Sequence, residues 1–498
     1  MLRLLRLAAL VVGYPLVIVL GLVLVFAGFR LAQAKWFGSV AEPERLEPKQ
    51  RYLASLEPVD PARAPNFVVI FFDDLGWGDL SIQGNELIDT PRIDRAAAEG
   101  VRLQHFYAAS SVCTPSRASL LSGRYPPRAG VSGHVYFPDE SWIGLLRRAA
   151  GAGNELPRDE ILLPEVLSAA GYATGMVGKW HLGGADGHRP KDFGFDSYFG
   201  VLWSNDMAPL HLYRGDEIVE HDERPSGFFG GSGERDEERP LGPGGVDQTR
   251  LTQRYTDEAI AFLEARREQP FFLYVAHTFP HVPHYASGEY AGQSDGGLYG
   301  DVVEDLDRST GAILDALDRL GIADETLVLI TSDNGADYGG SPGGLRGRKG
   351  EILEGGQRVP MIARWPGRLP AGVVSDAMAM NIDVFPTLLS LAGLPLPADR
   401  AIDGRDLSAL LEDGGASPHE QLFYFPVIGS LPEAVRDERF KLLRSSGDLG
   451  RDRPQLTRLD ADIEAHDLRS KHPAVAARLE AALAAKREEF ESNLRGWR

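Results

Sequence analysis

Residues 67–72, Phe67-Val68-Val69-Ile70-Phe71-Phe72, are apolar without a break and run straight into Asp73-Asp74. A strand with one wet face alternates apolar and polar residues. An unbroken run of this length predicts a parallel-sheet strand covered on both faces. Patterns then alternate along the chain. Residues 93–99 and 163–170 have helical spacing, and 172–177 returns as a strand. Residues 255–268 form an amphipathic helix followed by a strand at 270–276. Residues 302–320 form a long helix followed by a strand at 326–331. This order predicts an α/β domain with a mixed or parallel sheet between helices. Residues 221–248 are rich in Gly, Asp, Glu, Arg and Pro and have no period, so they are expected to be a loop, on the surface or over a site. Beyond residue 401, short strands at 422–427 and 440–443 and a charged helix at 473–490 predict a small C-terminal α+β subdomain.

The start of the chain has a different character. Residues 7–29 are apolar and uncharged, with Arg3 and Arg6 before them. As a helix they would extend about 34 Å at roughly 1.5 Å per residue, enough to cross a bilayer. That length favours an uncleaved anchor over a cleaved signal, although Ala32-Gln33-Ala34 has the form of a cleavage site. Arg30 and Lys35 on the far side leave the orientation open on charge alone. The expected divisions are an anchor or signal segment at 1–35, a linker at 36–64, a catalytic domain at 65–400 and the subdomain at 401–498.

Composition narrows the partners. The 498 residues are 43% hydrophobic and 25% charged, ordinary for a globular protein with a sizeable core. A net charge of -19 argues against nucleic acid and requires local positive charge wherever an anion binds. One cysteine excludes an internal disulfide. No asparagine stands in an Asn-X-Ser/Thr sequon, and the two absences together point to a bacterial source.

Four strand ends carry polar groups: Asp73-Asp74, Lys179 with His181, His277 with His281, and Asp333-Asn334. Sites in open α/β sheets form beyond the carboxyl ends of the strands, so these segments are expected to converge. Asp73, Asp74, Asp333 and Asn334 are hard oxygen donors, suited to Ca²⁺ or Mg²⁺ rather than zinc. Singly, each motif has an ordinary explanation: Asp-Asp caps helices, and Asp-Asn-Gly makes turns. A lone cysteine is usually a small buried hydrophobe.

The neighbours of that cysteine change its meaning. Cys113-Thr114-Pro115-Ser116-Arg117, followed by Ser119-Leu120-Leu121-Ser122-Gly123-Arg124, resembles the signature of the type I sulfatases of the alkaline phosphatase superfamily. Gly178-Lys179-Trp180-His181-Leu182-Gly183 resembles the second signature. Phe279-Pro280-His281-Val282-Pro283, Ser332-Asp333-Asn334-Gly335 and Leu345-Arg346-Gly347-Arg348-Lys349-Gly350 with Glu354-Gly355-Gly356 follow in the family's order. The resemblance covers the chain from Pro65 onward.

It implies an alkaline-phosphatase-like fold: a large mixed, mostly parallel sheet sandwiched by helices, with the smaller C-terminal part. It implies oxidation of Cys113 to formylglycine by a formylglycine-generating enzyme. It implies one divalent cation, Ca²⁺ ahead of Mg²⁺, held by Asp73, Asp74, residue 113, Asp333 and Asn334. The family mechanism is double displacement through a covalent sulfo-enzyme, in which the aldehyde hydrate supplies one hydroxyl to attack and one to release. Lys179 would contact formylglycine and sulfate, His181 would free the second hydroxyl, and His281 would contact sulfate and protonate the leaving alcohol. Lys349 would bind sulfate, Arg117 would hold the diol, and Ser204 is a looser match to a sulfate contact. His277 and His284 compete with His281 and are assigned structural or outer roles. Arg346 and Arg348 are assigned structural ion pairs or the approach to the site. Export, with tethering to an inner membrane through the N-terminal helix, follows from the family's usual location.

Rivals remain. Phosphatases and phosphonate hydrolases of the superfamily commonly have His where Asn334 stands, so Asn334 favours sulfate esters. A cysteine-phosphatase loop needs Arg six residues after its Cys, and that position is Ser119. A catalytically silent binding protein for sulfated glycans is the alternative from another class. The unpatterned loops hold the specificity, so the sequence names no particular ester.

Overall fold

The computed structural model describes residues 42–132, 135–141, 143–145, 153–222, 245–444, 454–459, 464 and 466–498. The apolar run at 7–29 and most of the loop at 221–248 lie outside the described residues. Among the described residues no helix is long and apolar enough to cross a membrane.

Ten strands form one sheet in the order β10-β2-β9-β8-β1-β7-β3-β4-β5-β6. The strands are β1 (Asn66–Asp73), β2 (Val101–Tyr107), β3 (Ala173–Lys179), β4 (Ser197–Val201), β5 (Leu210–Arg214), β6 (Glu217–Asp222), β7 (Phe271–Pro280), β8 (Thr326–Ser332), β9 (Met361–Arg364) and β10 (Val373–Met380). Only β9 and β5 run against the rest, so the sheet is mixed and mostly parallel, as expected.

β1 shows why its sequence is uninterrupted. Phe67, Val69 and Phe71 enter one core, with Ala118, Leu120 and Leu121 from the helix Cys113–Ser122 and Val166 and Leu167 from the helix Leu163–Ala169. Val68, Ile70 and Phe72 enter the other, with Leu263 from the helix Leu251–Arg266 and Val302, Leu306 and Ile313 from the helix Gly297–Leu320. Both faces are sealed, so no polar residue is tolerated.

A second, antiparallel sheet of β11 (Leu422–Tyr424), β12 (Ala434–Arg436), β13 (Phe440–Leu443) and β14 (Gln455–Arg458) packs with the helix Pro473–Ser492, forming the expected smaller unit. Part of the stretch expected to be a linker belongs to the body. The helix Leu46–Ala54 buries Lys49, whose Nζ meets Glu165 at 2.7 Å and donates to the carbonyls of Glu160 and Arg158.

Four neighbouring parallel strands, β8, β1, β7 and β3, end side by side. Phe72 is level with Ser332, Asp73 with Pro280, and Gly178 with Ala276. Strands lie about 4.8 Å apart, so their first loop residues share one small volume.

Candidate active site

Local backbone conformation aims these loop residues. Asp74 and His181 have φ of 69° and 60°, and with Glu464 they are the described non-glycine residues at positive φ. Such conformations cost energy and concentrate at functional sites. Gly178, just before Lys179, has φ of 105°, and a Cβ there would lie 1.8 Å from the Ala276 carbonyl oxygen. Only glycine lets the ends of β3 and β7 approach this closely.

Cys113 opens a ten-residue helix that is buried throughout. Asn381 fixes its first turn, donating to the Ser116 carbonyl and hydroxyl and accepting from the Ala109 N–H. The helix therefore points its positive end, with residue 113, at the strand ends. The Cys113 Sγ lies 3.3 Å from Asp73 Oδ1. Ligand atoms of Asp73, Asp74, Cys113 and Asp333 all lie within 4.8 Å of one another. The Asp74 N–H donates to Asp333 Oδ1 at 3.0 Å, and Asn334 Nδ2 donates to Asp74 Oδ1 at 2.7 Å. The Asn334 side-chain oxygen is buried without a partner.

Three cations face these three carboxylates, Lys179 and Arg117 fully buried and Lys349 half-buried. Lys179 Nζ is 2.5 Å from Asp73 Oδ2, Arg117 Nη2 is 3.0 Å from Asp333 Oδ2, and Lys349 Nζ is 2.7 Å from Asp74 Oδ2. Arg117 also lies 3.5 Å from Asp73 and donates to the Lys179 carbonyl, so it braces the carboxylates from behind. Burial would raise Asp73, but Lys179 and Arg117 outweigh it and hold the acid well below the usual carboxylate range. Burial first, then repulsion from Asp73, pushes Asp333 up. Carboxylates this crowded resist ionising together, and a divalent cation among them removes that resistance. Three carboxylates and an orphaned amide oxygen, with no imidazole required, fit a hard cation such as Ca²⁺ or Mg²⁺.

Burial, with Asp73 adding to it, pushes the Cys113 thiol well above its ordinary value. The encoded residue is a neutral thiol at pH 7, without the thiolate that a cysteine nucleophile needs.

The histidines divide sharply. His181 Nε2 is 3.0 Å from the Tyr136 carbonyl oxygen. A carbonyl only accepts, so Nε2 carries the proton and Nδ1 holds a lone pair, buried and without a partner. Burial, then Lys179 and Arg117, keep this imidazole neutral by lowering its pKa well below 6.5. His281 Nδ1 is 2.6 Å from the Val282 carbonyl oxygen, and Nε2 faces the site 3.7 Å from Asp74 Oδ2. His284 packs edge-on against Tyr299.

His277 points into the core, stacked on Phe72 with Ser309 at 3.4 Å. Burial, with Arg308 contributing, lowers it to about 3. A folded pKa below the unfolded 6.5 gives stability that is present above 6.5 and lost as pH falls toward 3. Between pH 6.5 and 5 this one group is expected to cost about 2 kcal/mol. Urea unfolding at the two pH values checks this: His277→Phe should reduce the drop by that amount.

Ser204 reaches the site by accepting a hydrogen bond from Lys179 Nζ at 3.0 Å. Among the described residues neither Arg346 nor Arg348 makes an ion pair, one of the two roles expected of them. Arg346 donates to the Glu464 carbonyl, and Arg348 Nη1 donates to the carbonyls of Asp337 and Gly340. Loop carbonyls turn toward these guanidiniums where no described carboxylate comes within reach.

Other contributors were given no role by the sequence: Tyr136 and Asp79 carry no signal, and Glu354 stands in the motif segment without one. Tyr136 acts through its backbone carbonyl, and its N–H is tied to Thr114 Oγ1 beside Cys113. Buried Asp79 accepts from the N–H of Gly76, the N–H of Ser341 and the Tyr299 hydroxyl, each at 2.6 Å. It thereby joins the loop after β1 to the loop leading to Lys349. Glu354, behind Lys349, is held by the Tyr107 hydroxyl at 2.7 Å and by Lys441 of the small sheet at 3.2 Å. Lys441 also meets Glu464 at 2.9 Å, so the C-terminal unit buttresses the Lys349 segment.

This architecture is shared. Residues 65–394 match the sulfatase family model, and residues 348–488 match the C-terminal model of N-sulphoglucosamine sulphohydrolase. Mouse steryl-sulfatase is 38% identical over 439 residues, covering 74% of this chain and 68% of that protein. Mouse N-acetylgalactosamine-6-sulfatase is 40% identical over 381 residues, covering 72% and 68%. A Bacteroides thetaiotaomicron sulfatase structure, described in connection with the metabolism of multiple glycosaminoglycans, superposes with a TM-score of 0.73 at 29% identity, covering 85% of this chain and 99% of that one. The chain belongs to the sulfatase family and is a sulfuric ester hydrolase.

Proposed function

We propose that the chain hydrolyses sulfate monoesters with residue 113 as formylglycine and a divalent cation held by Asp73, Asp74, Asp333 and Asn334. One observation carries this reading. A neutral, buried thiol stands in a ring of three carboxylates that three cations balance, two of them fully buried. Such a ring does nothing useful for a thiol, and it suits an oxygen nucleophile beside a hard cation.

Formylglycine supplies two hydroxyls on one carbon, the first to attack sulfur and the second to release sulfate. The cation, Ca²⁺ by preference, supplies Lewis acidity toward oxygen at that position. The chain's own residues do the rest. Arg117 holds Asp73 and Asp333 in place. Lys179 and Lys349, each paired with a carboxylate, present positive charge to the sulfate oxygens. With a divalent cation present the cluster is net positive, which admits an anionic ester into a chain that is acidic overall. His181, neutral with a free Nδ1, accepts the proton of the second hydroxyl. His281, with its Nδ1–H held by the Val282 carbonyl, acts as the imidazolium: Nε2–H faces inward and passes its proton to the departing alcohol oxygen, leaving the neutral ring. Ser204 orients Lys179 through its hydrogen bond. The family's extracytoplasmic habit supports export, with an enzyme that installs formylglycine as the maturation partner.

Matched aryl sulfate and aryl phosphate esters test the reading. The mature enzyme is expected to prefer the sulfate by at least 100-fold in kcat/KM, about 2.7 kcal/mol in transition-state binding. A preference for phosphate would refute it.

A further inference from the structure

His281, Val282 and Pro283 follow the last residue of β7, where the chain leaves the sheet. His281 is aimed by the next peptide group. Its Nδ1 donates to the Val282 carbonyl at 2.6 Å, and Nε2 then faces inward, 3.7 Å from Asp74 Oδ2. That carbonyl belongs to the peptide joining Val282 to Pro283, so a swing of Pro283 turns the imidazole with it. Proline has no N–H, so its carbonyl is the only polar backbone group by which Pro283 can be held. The Pro283 carbonyl accepts from Asn205 Nδ2 at 3.3 Å.

Asn205 is 3% exposed and is fixed from two sides. Its Nδ2 also donates to Gln248 Oε1 at 3.1 Å, and Gln248 Nε2 donates back to the Asn205 carbonyl at 3.1 Å. The chain leading to Asn205 is paired with the chain leaving β3. The Trp180 N–H donates to the Val201 carbonyl at 3.0 Å, and the His181 N–H to the Leu202 carbonyl at 2.9 Å. Ser204, one residue before Asn205, takes the hydrogen bond from Lys179. Asn205 therefore ties the turn that carries His281 to the segment that carries Lys179 and His181.

We propose that Asn205, backed by Gln248, is a positioning residue for departure of the alcohol: it fixes the turn after His281 and so keeps Nε2 on the leaving oxygen. This rests on the reading of His281 as the acid of sulfate ester cleavage. In the step served, the bond between sulfur and the alcohol oxygen breaks. That oxygen keeps the electron pair and takes the proton from Nε2. The value of the proton depends on the leaving group. A nitrophenol departs as a stabilised phenolate and gains little from an acid, whereas a methoxyphenol departs as a more basic oxygen and gains more. Misaiming His281 should be felt in proportion to that basicity. A packing role would slow every ester alike.

The test is kcat/KM, which covers the steps through S–O cleavage, for para-nitrophenyl, phenyl and para-methoxyphenyl sulfates. It uses the full chain matured to formylglycine, with rates normalised to the fraction converted. Asn205→Ala is expected to lower kcat/KM about tenfold more for the methoxyphenyl ester than for the nitrophenyl ester. Gln248→Ala, which loosens Asn205 from behind, should shift the ratio in the same direction by a smaller factor. If Asn205→Ala fails to fold, as read by thermal unfolding, Gln248→Ala carries the test. In a His281→Ala background the selectivity of either variant should vanish, because the acid being aimed is gone. Equal losses for the three esters, no loss for any, or a selectivity that persists without His281 would each overturn the positioning role. His281→Ala alone reports on the underlying reading. A selective loss there beside equal losses for Asn205→Ala overturns only the role of Asn205, and an unselective loss there overturns the acid and this role with it.

Discussion

Cys113→Ser is expected to lower aryl sulfate turnover by on the order of 10⁴ or more, with the fold intact. The substituted side chain is nearly isosteric and sits at a helix start where serine is well accepted, so stability should change by no more than about 1 kcal/mol. What disappears is the second hydroxyl. A serine that accepted the sulfo group would have no route to expel it, because release depends on breaking the C–O bond from the same carbon. His181, with its lone pair on Nδ1, would have no proton to take. The unconverted thiol should be as inactive as the serine variant, because burial keeps it protonated. Steady-state turnover with thermal unfolding of the same preparations checks the prediction. A serine variant retaining more than about a hundredth of the activity would show that residue 113 is not the nucleophile's source.

Asp73→Asn is expected to damage both activity and stability. The Asp73 carboxylate is fully buried, 2.5 Å from Lys179 and 3.5 Å from Arg117, and takes the Cys113 S–H contact on its other oxygen. Removing its charge leaves a buried cation without a partner, a change that typically costs about 3–5 kcal/mol. It also removes one hard ligand from the proposed cation site, and activity should fall at least 1000-fold. A distinctive consequence follows for Ca²⁺. The metal should raise the unfolding temperature of the parent protein and do so far less for the variant, because only the native state offers the site. Denaturant unfolding with and without Ca²⁺ separates the effects. A variant of unchanged stability would contradict the charge balance described here.

The central strands were legible because their burial is two-sided. β1, β7 and β8 carry apolar runs that no solvent-facing strand would have, and their ends, with that of β3, announced the polar groups that meet. Other elements were harder to see. β2 alternates Val101, Arg102, Leu103 and Gln104, a half-buried pattern that was available but short. The helix Cys113–Ser122 has no amphipathic stripe because every face is buried, so only the motif marked it. The helix Leu46–Ala54 hid in a charged, Pro-rich stretch because its one fully buried side chain is a lysine and only Tyr52 and Leu53 pack on the core.

The candidate site divides along the same line. Asp73, Asp74, Lys179, His181, His281, Asp333, Asn334 and Lys349 act through side chains whose types suggest their chemistry. Tyr136 acts through a carbonyl, which any residue possesses. Asp79 and Glu354 act by joining loops distant in sequence, and their partners appear only when the chain is folded. Arg346 and Arg348 were expected to make ion pairs or to line the approach; no described carboxylate pairs with them, and their nearest acceptors are backbone oxygens, which residue type alone does not announce.

The claim on which everything else depends is the chemical identity of residue 113. Mass spectrometry of the peptide containing it, after expression with a formylglycine-generating system, tests that claim directly when turnover is measured on the same sample. The account predicts an aldehyde at residue 113 and sulfate release in proportion to the fraction converted. An unmodified thiol in a preparation that still hydrolyses sulfate esters would contradict it.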